Sequence, residues 1–399
     1  MKPLIKRIGE NERKYILEVL ATDFRSSAGS NMTQRFEEAF AKKFGVKFAI
    51  SHVNGTCTMH SALEAINVGT GDEVIVPPLT MSSTTFAVMH ANAIPIFADI
   101  DPETFLITPE TILKVITPKT KAIIPVSLYG LSPDMEGIMK IANEHDLYII
   151  EDNAESLSAK YKGEYVGTYG HMASYSFQSS KHITAGEGGI LTTNDEILAN
   201  SIRKFQSLGY AGVGASKGKI TKDDIQDPNY SRHIILGWNY RMPELCSAVL
   251  LGQLERLDEL IQRRIDVAQE FHVRVKDCSW LIPQKVPETC EHSYWTYVLK
   301  IENEKISWYD FRKKFMEFGG DGIYAAWKLT YLEPMFQNFA FSGRESFIKG
   351  YLQDLKNGLC PNAEKIQKKL LQFKTNYWNW QRAEKNFEAL EKTIKYFNK

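Results

Sequence analysis

The stretch that decides the fold is Ser174-Tyr-Ser-Phe-Gln-Ser-Ser-Lys-His-Ile-Thr-Ala-Gly-Glu-Gly-Gly189, with Lys181 at its centre. Its first part places apolar side chains at every second position, including Tyr175 and Phe177, which predicts a short strand. Small residues follow, and the final glycine opens a second predicted strand, Gly-Ile-Leu-Thr-Thr. One lysine therefore lies on a tight connection between two strands, where it can serve as a covalent nucleophile. The alternative is a solvated surface lysine, the commoner situation for this residue type.

The sequence before this stretch alternates between predicted strands and predicted helices. The apolar patterns predict strands at 47–51, 73–76, 94–98, 122–126 and 147–150, and helices at 32–44, 55–66, 82–91, 109–115 and 134–144. This alternation is typical of βαβ units, so we expect an α/β fold with a mostly parallel sheet.

The sequence after residue 207 changes character. Residues 208–232 are rich in glycine and charge without periodicity, which is typical of a functional connection. A long amphipathic helix is predicted over 242–275, with room for a kink, followed by a strand at 294–301 and helices at 308–318, 363–373 and 382–396. We therefore expect a large α/β domain over residues 1–255 and a smaller α+β domain over residues 256–399.

The composition narrows the class of protein. Of 399 residues 43% are hydrophobic, and 48 basic residues balance 48 acidic ones, which argues against a nucleic-acid or anionic-membrane surface. The five cysteines are odd in number and lack metal-ligand spacing, so we expect reduced thiols and no metal site. No apolar run is long enough for a membrane span, and a cytoplasmic location is expected.

Two further features fall where ligands collect in an open α/β sheet, outside the carboxyl ends of strands. Asp152 follows the apolar run that begins at Leu147, although it could instead cap a helix. Gly55 and Thr56 open a helix directly after a strand, where free backbone N–H groups bind phosphate. A lysine, a carboxylate and a phosphate cradle are together what pyridoxal 5'-phosphate (PLP) requires.

Four more motifs accompany the stretch around Lys181. They are Gly71-Asp-Glu-Val-Ile-Val-Pro-Pro78, Ala98-Asp-Ile-Asp-Pro102, Ile150-Glu-Asp-Asn-Ala-Glu155 and Leu236-Gly-Trp-Asn-Tyr-Arg-Met242. In this order, and over roughly residues 30 to 300, the chain resembles the DegT/StrS-type sugar aminotransferases, which are fold-type I PLP enzymes. The resemblance implies a seven-stranded, mostly parallel sheet flanked by helices, with a smaller C-terminal domain.

The resemblance also implies roles for individual residues. Lys181 is similar to the Schiff-base lysine of the family, and Asp152 is similar to the carboxylate that pairs with the pyridine nitrogen; these two are the expected catalytic residues. The positions that match the family's phosphate ligands are Gly55, Thr56 and Ser176.

Other positions of the cofactor site are matched with differences. Met81 stands where many relatives carry an aromatic ring on the cofactor, and Glu155 replaces the commoner glutamine near the phenolic oxygen. Asn239 is similar to the asparagine that reaches the phosphate from the other subunit, which implies a homodimer with shared active sites. Residues 322–334 lack the Tyr-Pro-x-Pro-Leu-His signature that helps to hold the substrate in relatives.

The implied activity is transfer of an amino group from glutamate or glutamine to a nucleotide-linked keto-sugar, for surface polysaccharide or related biosynthesis. The altered segment at 322–334 favours an alternative, a small non-nucleotide carbonyl compound such as a phosphorylated ketose. PLP-dependent dehydratases of this scaffold carry histidine in place of the lysine, so Lys181 argues against that activity. A non-catalytic PLP-binding protein is the remaining alternative, and Lys181, Asp152 and Asn239 together argue against it.

Four ring-bearing residues near these motifs are expected to be structural. His182, next to the lysine, is predicted to be a hydrogen-bonded structural histidine in preference to a proton relay. His60 is predicted to pack, and Trp295 and Tyr297 are predicted to be core residues of a strand.

Overall fold

The structure is a computed structural model that describes residues 2–24, 29–338 and 355–398. The first half of the chain contains nine strands among its described residues. Seven of them form one sheet in the order β1-β9-β8-β5-β4-β2-β3, and β6 and β7 lie outside it. The strands are β1 (Phe48–His52), β2 (Glu73–Val76), β3 (Ile94–Phe97), β4 (Thr120–Ile123), β5 (Tyr148–Asp152), β6 (Lys160–Tyr161), β7 (Glu164–Tyr165), β8 (Met172–Ser176) and β9 (Gly189–Thr193).

Six of the seven strands of this sheet point the same way. The pairs of β2 with β3 and β4, of β4 with β5, and of β5 with β8 are parallel. Strand β9 is antiparallel to both of its neighbours, β1 and β8. The predicted mostly parallel α/β sheet is thus confirmed. The connection that carries Lys181 runs from residue 177 to residue 188, so it is an extended loop and not the tight turn that the sequence predicted.

Helices cover both faces of this sheet and continue to the end of the chain. They are α1 (Glu10–Leu20), α2 (Met32–Phe44), α3 (Gly55–Ala65), α4 (Ser83–His90), α5 (Pro109–Leu113), α6 (Met135–Glu144), α7 (Glu196–Gln206), α8 (Lys222–Gln226), α9 (Glu244–Leu254), α10 (Leu257–Val275), α11 (Trp308–Glu317), α12 (Pro334–Gln337), α13 (Pro361–Gln367) and α14 (Trp380–Phe397). Single turns of 3-10 helix lie at Leu128–Gly130 and Thr330–Leu332.

The period of two along each strand divides the core into two layers. In β8, Ala173 and Tyr175 pack with the apolar faces of α2 and α9, whereas Met172 packs with α3, α6 and α7 on the opposite face. Strand β9 divides in the same way, with Ile190 in the first layer and Leu191 in the second. Because both faces are covered, the strands are apolar almost throughout and polar groups concentrate at their ends.

A second sheet lies in the C-terminal half, in the order β10-β12-β14-β13, with all three pairs antiparallel. It packs with α10, α11 and α14 around a separate apolar core. The strands of this half are β10 (Leu281–Pro283), β11 (Cys290–Glu291), which pairs with β6, β12 (Thr296–Ile301), β13 (Tyr324–Ala325) and β14 (Leu370–Lys374).

One predicted element of this half needs correction, and a second shows the kink that its prediction allowed. The helix predicted over 363–373 is wrong in its second part, because the chain leaves α13 at Gln367 and forms β14. Five consecutive residue pairs with β12 hold that strand in place, and such long-range pairing outweighs local periodicity. The helix predicted over 242–275 is divided into α9 and α10 by Glu255 and Arg256.

The division between α9 and α10 coincides with the proposed domain boundary at residues 255 and 256, which stays a prediction. The chain crosses this boundary more than once, because Ala326, Leu329 and Ile366 of the C-terminal part pack into the core of the large sheet. Residues 208–232 contain α8 but are otherwise irregular. Within the described ranges, none of the helices is both long and apolar enough to cross a membrane.

Candidate active site

A cavity of about 850 Å³ lies between the carboxyl ends of β5 and β8, the start of α3 and the edge of the C-terminal sheet. Its size is within the range of small-molecule sites in proteins. Of the eight residues predicted for the cofactor site, seven line this cavity: Gly55, Thr56, Met81, Asp152, Glu155, Ser176 and Lys181. The eighth, Asn239, lies outside it.

One end of the cavity is formed by the start of α3. The Asn54 side chain accepts a hydrogen bond from the Cys57 N–H at 2.9 Å, which leaves the N–H groups of Gly55 and Thr56 at an open helix end. Two glycines allow the close approach of backbone here. A Cβ on Gly55 would lie 3.0 Å from the Ser176 Cβ, and a Cβ on Gly189 would lie 2.5 Å from the Asn54 carbonyl carbon. This end therefore has the geometry of an anion site.

Asp152 ends β5 and is almost fully buried in the cavity wall. Its carboxylate accepts hydrogen bonds from the Thr84 hydroxyl at 2.8 Å and from the Ala154 N–H at 3.2 Å. The alternative role as a helix cap is excluded, because the residues that follow form a turn. Burial raises the pKa of the Asp152 carboxyl, and the hydrogen bond from Thr84 opposes that shift. A carboxyl in this environment gains most from a cationic partner.

The Lys181 side chain is largely shielded from solvent, which excludes the surface-lysine alternative. Its Nζ donates to Glu155 Oε1 at 3.1 Å, and the two side chains are only 11% and 5% exposed. The second oxygen of Glu155 accepts the Tyr129 N–H at 3.1 Å. Burial raises the pKa of the Glu155 carboxyl, and the positive charge of Lys181 opposes the shift. Glu155 is therefore the counter-ion of the lysine in the absence of a ligand.

The backbone of the lysine is held by groups that the sequence did not reveal. Arg264 Nη2 donates to the carbonyls of Ser180 and Lys181 at 3.0 and 2.9 Å, and Arg7 Nη2 donates to the Lys181 carbonyl at 3.1 Å. Burial lowers the pKa of Arg264 to about 9. The sequence does contain an indication that Arg264 is buried, because Arg264 occupies the apolar face of α10, three residues after Ile261.

The prediction that Trp295 is a core residue of a strand is wrong. It is not a core strand residue but precedes β12 and lines the cavity, with its ring centroid 4.5 Å from the Lys181 Nζ. Its Nε1 donates to the Ser180 carbonyl at 3.0 Å, and its ring stacks on that of Trp327 at 5.9 Å. Tyr297, by contrast, is a buried core residue as predicted.

The two histidines are structural, as predicted. His182 is buried and its Nε2 makes a hydrogen bond with the Ser293 carbonyl at 3.1 Å, while burial lowers its pKa. His60 packs edge-on against Phe205 and makes a 3.0 Å hydrogen bond with the Tyr240 hydroxyl. Neither imidazole lines the cavity.

Met81 and Asn239 are the least enclosed of the predicted residues. Met81 is 51% exposed at the cavity wall. Asn239 is exposed in an irregular segment whose backbone forms a bridge with Ser207. Apolar side chains next to it are open to solvent, among them Leu236, 92% exposed, and Trp238.

The cavity fits PLP on three observations. It contains an amine at Lys181, a buried carboxyl at Asp152 that gains from a cationic partner, and an open helix end beside the Ser176 hydroxyl. In the part of the chain that the structure describes, no group of three or more His, Cys, Asp or Glu side chains is placed to hold a metal ion.

Comparison with known proteins agrees with this geometry. Residues 6–373 match the DegT/DnrJ/EryC1/StrS aminotransferase family. The chain is 39% identical over 297 residues to the GDP-perosamine synthase of Caulobacter vibrioides, covering 74% of this chain and 76% of that protein. It is 35% identical over 301 residues to the spore coat polysaccharide biosynthesis protein SpsC of Bacillus subtilis, covering 75% of each.

A solved structure shares the whole fold. The aminotransferase from Psychrobacter cryohalolentis superposes with a TM-score of 0.85 at 28% identity, and the match covers 100% of both chains. The predicted fold class and the predicted cofactor are both confirmed by these relationships. The chain belongs to the DegT/DnrJ/EryC1/StrS aminotransferase family and is a PLP-dependent aminotransferase.

Proposed function

We propose that this enzyme transfers the amino group of glutamate or glutamine to a nucleotide-linked keto-sugar, for the synthesis of a surface polysaccharide or a related product. The observation that carries the chemistry is the position of the Lys181 amine, which is largely shielded from solvent and shares one cavity with the Asp152 carboxyl and the open end of α3. The sugar is supported by the relatives named as GDP-perosamine synthase and as a spore coat polysaccharide biosynthesis protein.

Each residue has a defined task in this proposal. When bound, PLP supplies the electron sink that lets an amino group leave one substrate and be kept for the next. Asp152 would pair with the ring nitrogen of PLP, and the start of α3 together with Ser176 would hold the phosphate. Lys181 would anchor the cofactor covalently, and its free Nζ would take the proton from the donor's α-carbon and deliver it to the cofactor. Glu155 orients the Lys181 amine, because its Oε1 accepts a hydrogen bond from Nζ at 3.1 Å.

Replacement of the lysine tests the assignment. Lys181→Ala should lose the visible absorbance of lysine-bound PLP and all measurable turnover, while its circular dichroism stays that of the wild type. Lys328→Ala is the control, because Lys328 is exposed and lies outside the cavity wall. A Lys181→Ala enzyme that still transaminates at the wild-type rate would overturn the proposal.

A small non-nucleotide carbonyl compound, such as a phosphorylated ketose, is the second candidate substrate. The segment that departs from the family's pattern supplies Tyr324, Ala325 and Trp327 to the cavity wall, so the substrate end of this site differs from that of relatives. The test is to convert the enzyme to its pyridoxamine form and to screen nucleotide-linked keto-sugars and keto-phosphates for return of the pyridoxal spectrum. Return with keto-phosphates alone would favour the second candidate.

We also propose that the enzyme is a homodimer in which Asn239 completes the partner's site. Asn239 lies outside the cavity of its own chain, and the exposed apolar side chains of Ile234, Leu236 and Trp238 adjoin it. Mixing inactive Lys181→Ala and Asn239→Ala subunits tests this idea. A mixed dimer restores one intact site only if Asn239 acts across the interface, whereas action within one chain leaves a defect in both sites.

The proposed location is the cytoplasm. Each of the five cysteines is free, as expected in a reducing compartment.

A further inference from the structure

The cavity wall opposite the cofactor residues includes one face of β14 and its extension. Gln372, Lys374 and Asn376 lie at every second position and all three line the cavity. The side chains of Leu371 and Phe373, which point to the opposite face of the strand, are buried in the C-terminal core. The period of two therefore presents three polar side chains to the substrate space from a rigid strand.

The basic side chains of this cavity differ in their ion-pair and hydrogen-bond partners. Three basic side chains line it, Lys181, Arg264 and Lys374. Lys181 is paired with a carboxylate at 3.1 Å, and the terminal nitrogens of Arg264 donate to three backbone carbonyls and to a hydroxyl.

Lys374 differs from both of these side chains. Among the residues that the structure describes, no carboxylate lies within 4 Å of its Nζ and no group accepts a hydrogen bond from it. Its Nζ lies over the face of the Tyr324 ring, 5.5 Å from the ring centroid. The amide of Asn376 is also without a hydrogen-bond partner among the described residues. The Lys374 ammonium and the Asn376 amide thus face the same space, and neither has a hydrogen-bond partner in the part of the chain that the structure describes.

We propose that Lys374, with Asn376 beside it, binds an anionic oxygen group of the substrate, a carboxylate or a phosphate. An ammonium group, which carries three N–H donors, suits either anion. The proposal rests on the proposed function, which supplies two sources of the anion: the carboxylate of the amino donor and the phosphate of the sugar. Gln372 supports the site from behind, because its Nε2 donates to the Ala325 carbonyl at 2.8 Å and ties β14 to β13.

The test separates the two sources in the PLP-loaded enzyme at constant ionic strength. The carboxylate arm measures the apparent Kd of L-glutamate from the single-turnover change in cofactor absorbance. The phosphate arm measures the Kd of inorganic pyrophosphate by calorimetry, with the cofactor's own phosphate site filled by PLP. The variants are Lys374→Met, Lys374→Arg as the conservative rescue, and Lys368→Met as the control, because Lys368 is exposed on the far end of α13.

Lys374→Met should weaken one or both Kd values by about 10-fold or more, since a charge-assisted hydrogen bond is lost. Lys374→Arg should recover most of that loss, and Lys368→Met should stay within about two-fold of the wild type. Loss for glutamate alone assigns the anion to the donor, and loss for pyrophosphate alone assigns it to the sugar substrate. Wild-type Kd values for both ligands in Lys374→Met, with an intact visible spectrum, would overturn the proposal.

Two provisions keep the result decisive. If Lys374→Met does not fold, Lys374→Gln replaces it, because glutamine keeps the length of a polar side chain without the charge. A failure of the proposed function would be seen in the wild-type enzyme. Its pyridoxamine form would then not return to the pyridoxal form with any keto-sugar or keto-phosphate. The pyrophosphate arm measures binding without turnover and is unaffected by that failure.

Discussion

Replacing Gly189 with alanine should damage cofactor binding although Gly189 itself carries no functional group. A Cβ at this position would lie 2.5 Å from the carbonyl carbon of Asn54, 2.6 Å from its oxygen and 2.8 Å from the Gly55 nitrogen. Non-bonded carbon atoms normally stay about 3.5–4.0 Å apart, so roughly 1 Å of displacement is required. All three clashing atoms are backbone, which cannot rotate away as a side-chain end can.

The displacement must fall on the start of α3. Gly189 is paired with His52 of β1 on one side and with Ser176 of β8 on the other, so the strand itself is fixed. Overpacking of this kind costs about 1–3 kcal/mol. If the strain moves the N–H groups of Gly55 and Thr56 out of position, the affinity for PLP should fall about 10- to 100-fold, which corresponds to about 1.4–2.7 kcal/mol.

The assay is an equilibrium titration of the apo-protein with PLP, followed by visible absorbance, together with urea unfolding of each apo-variant. Gly188→Ala is the matched control, because its Cβ would first meet the flexible end of Met242 at 3.2 Å. It should cost less than about 1 kcal/mol and leave the PLP affinity near that of the wild type. Wild-type affinity in Gly189→Ala, or an equal loss in Gly188→Ala, would refute the reasoning.

Two further predictions concern the buried carboxyls. Thr84→Val removes the hydroxyl that donates to Asp152 at 2.8 Å, so it should lower the free energy of urea unfolding of the apo-protein by about 1–3 kcal/mol. Thr84→Ser keeps a hydroxyl and should retain most of the wild-type stability. Equal stability of the two variants would contradict this prediction. The pKa of Glu155 is raised from 4.5 by burial, so the folded state holds that proton more tightly than the unfolded state does. The wild type should therefore lose stability relative to Glu155→Gln as the pH rises above about 4.5, and a difference that stays constant from pH 4 to pH 8 would contradict this.

The residues that we assign to the cofactor gather at one end of the cavity, and their positions could be predicted because each depends on local sequence. Asp152 and Ser176 end strands whose apolar runs are visible in the sequence, and Gly55 opens a helix directly after one. In a parallel sheet such positions meet at one edge without any knowledge of the strand order. The helix at Met32–Phe44 and the strand at Glu73–Val76 were predicted to the residue for the same reason, since their periodicity agrees with their packing.

The parts that escaped prediction depend on distant contacts. Trp295 looks like one more apolar residue of a strand, but its position against Lys181 is determined by a loop 114 residues earlier in the chain. Arg264 looks like a charge on an amphipathic helix, and only the fold shows that its acceptors are the carbonyls behind the lysine. Periodicity reports which face of an element is buried but not which groups bury it.

The substrate end of the cavity depends on the register of two short strands. Strand β13 has only two residues, and its pairing places Tyr324 opposite Gln372 and Ala325 opposite Leu371. A slip of one residue would turn Lys374 into the core and Phe373 into the cavity. Burial of Leu371 and Phe373 and the hydrogen bond from Gln372 to the Ala325 carbonyl oppose that slip. In the proposed function this register holds the residues that contact the substrate, whereas Lys181 lies on a loop between two strands of the large sheet. We therefore expect that substrate choice can change while the chemistry at Lys181 is retained.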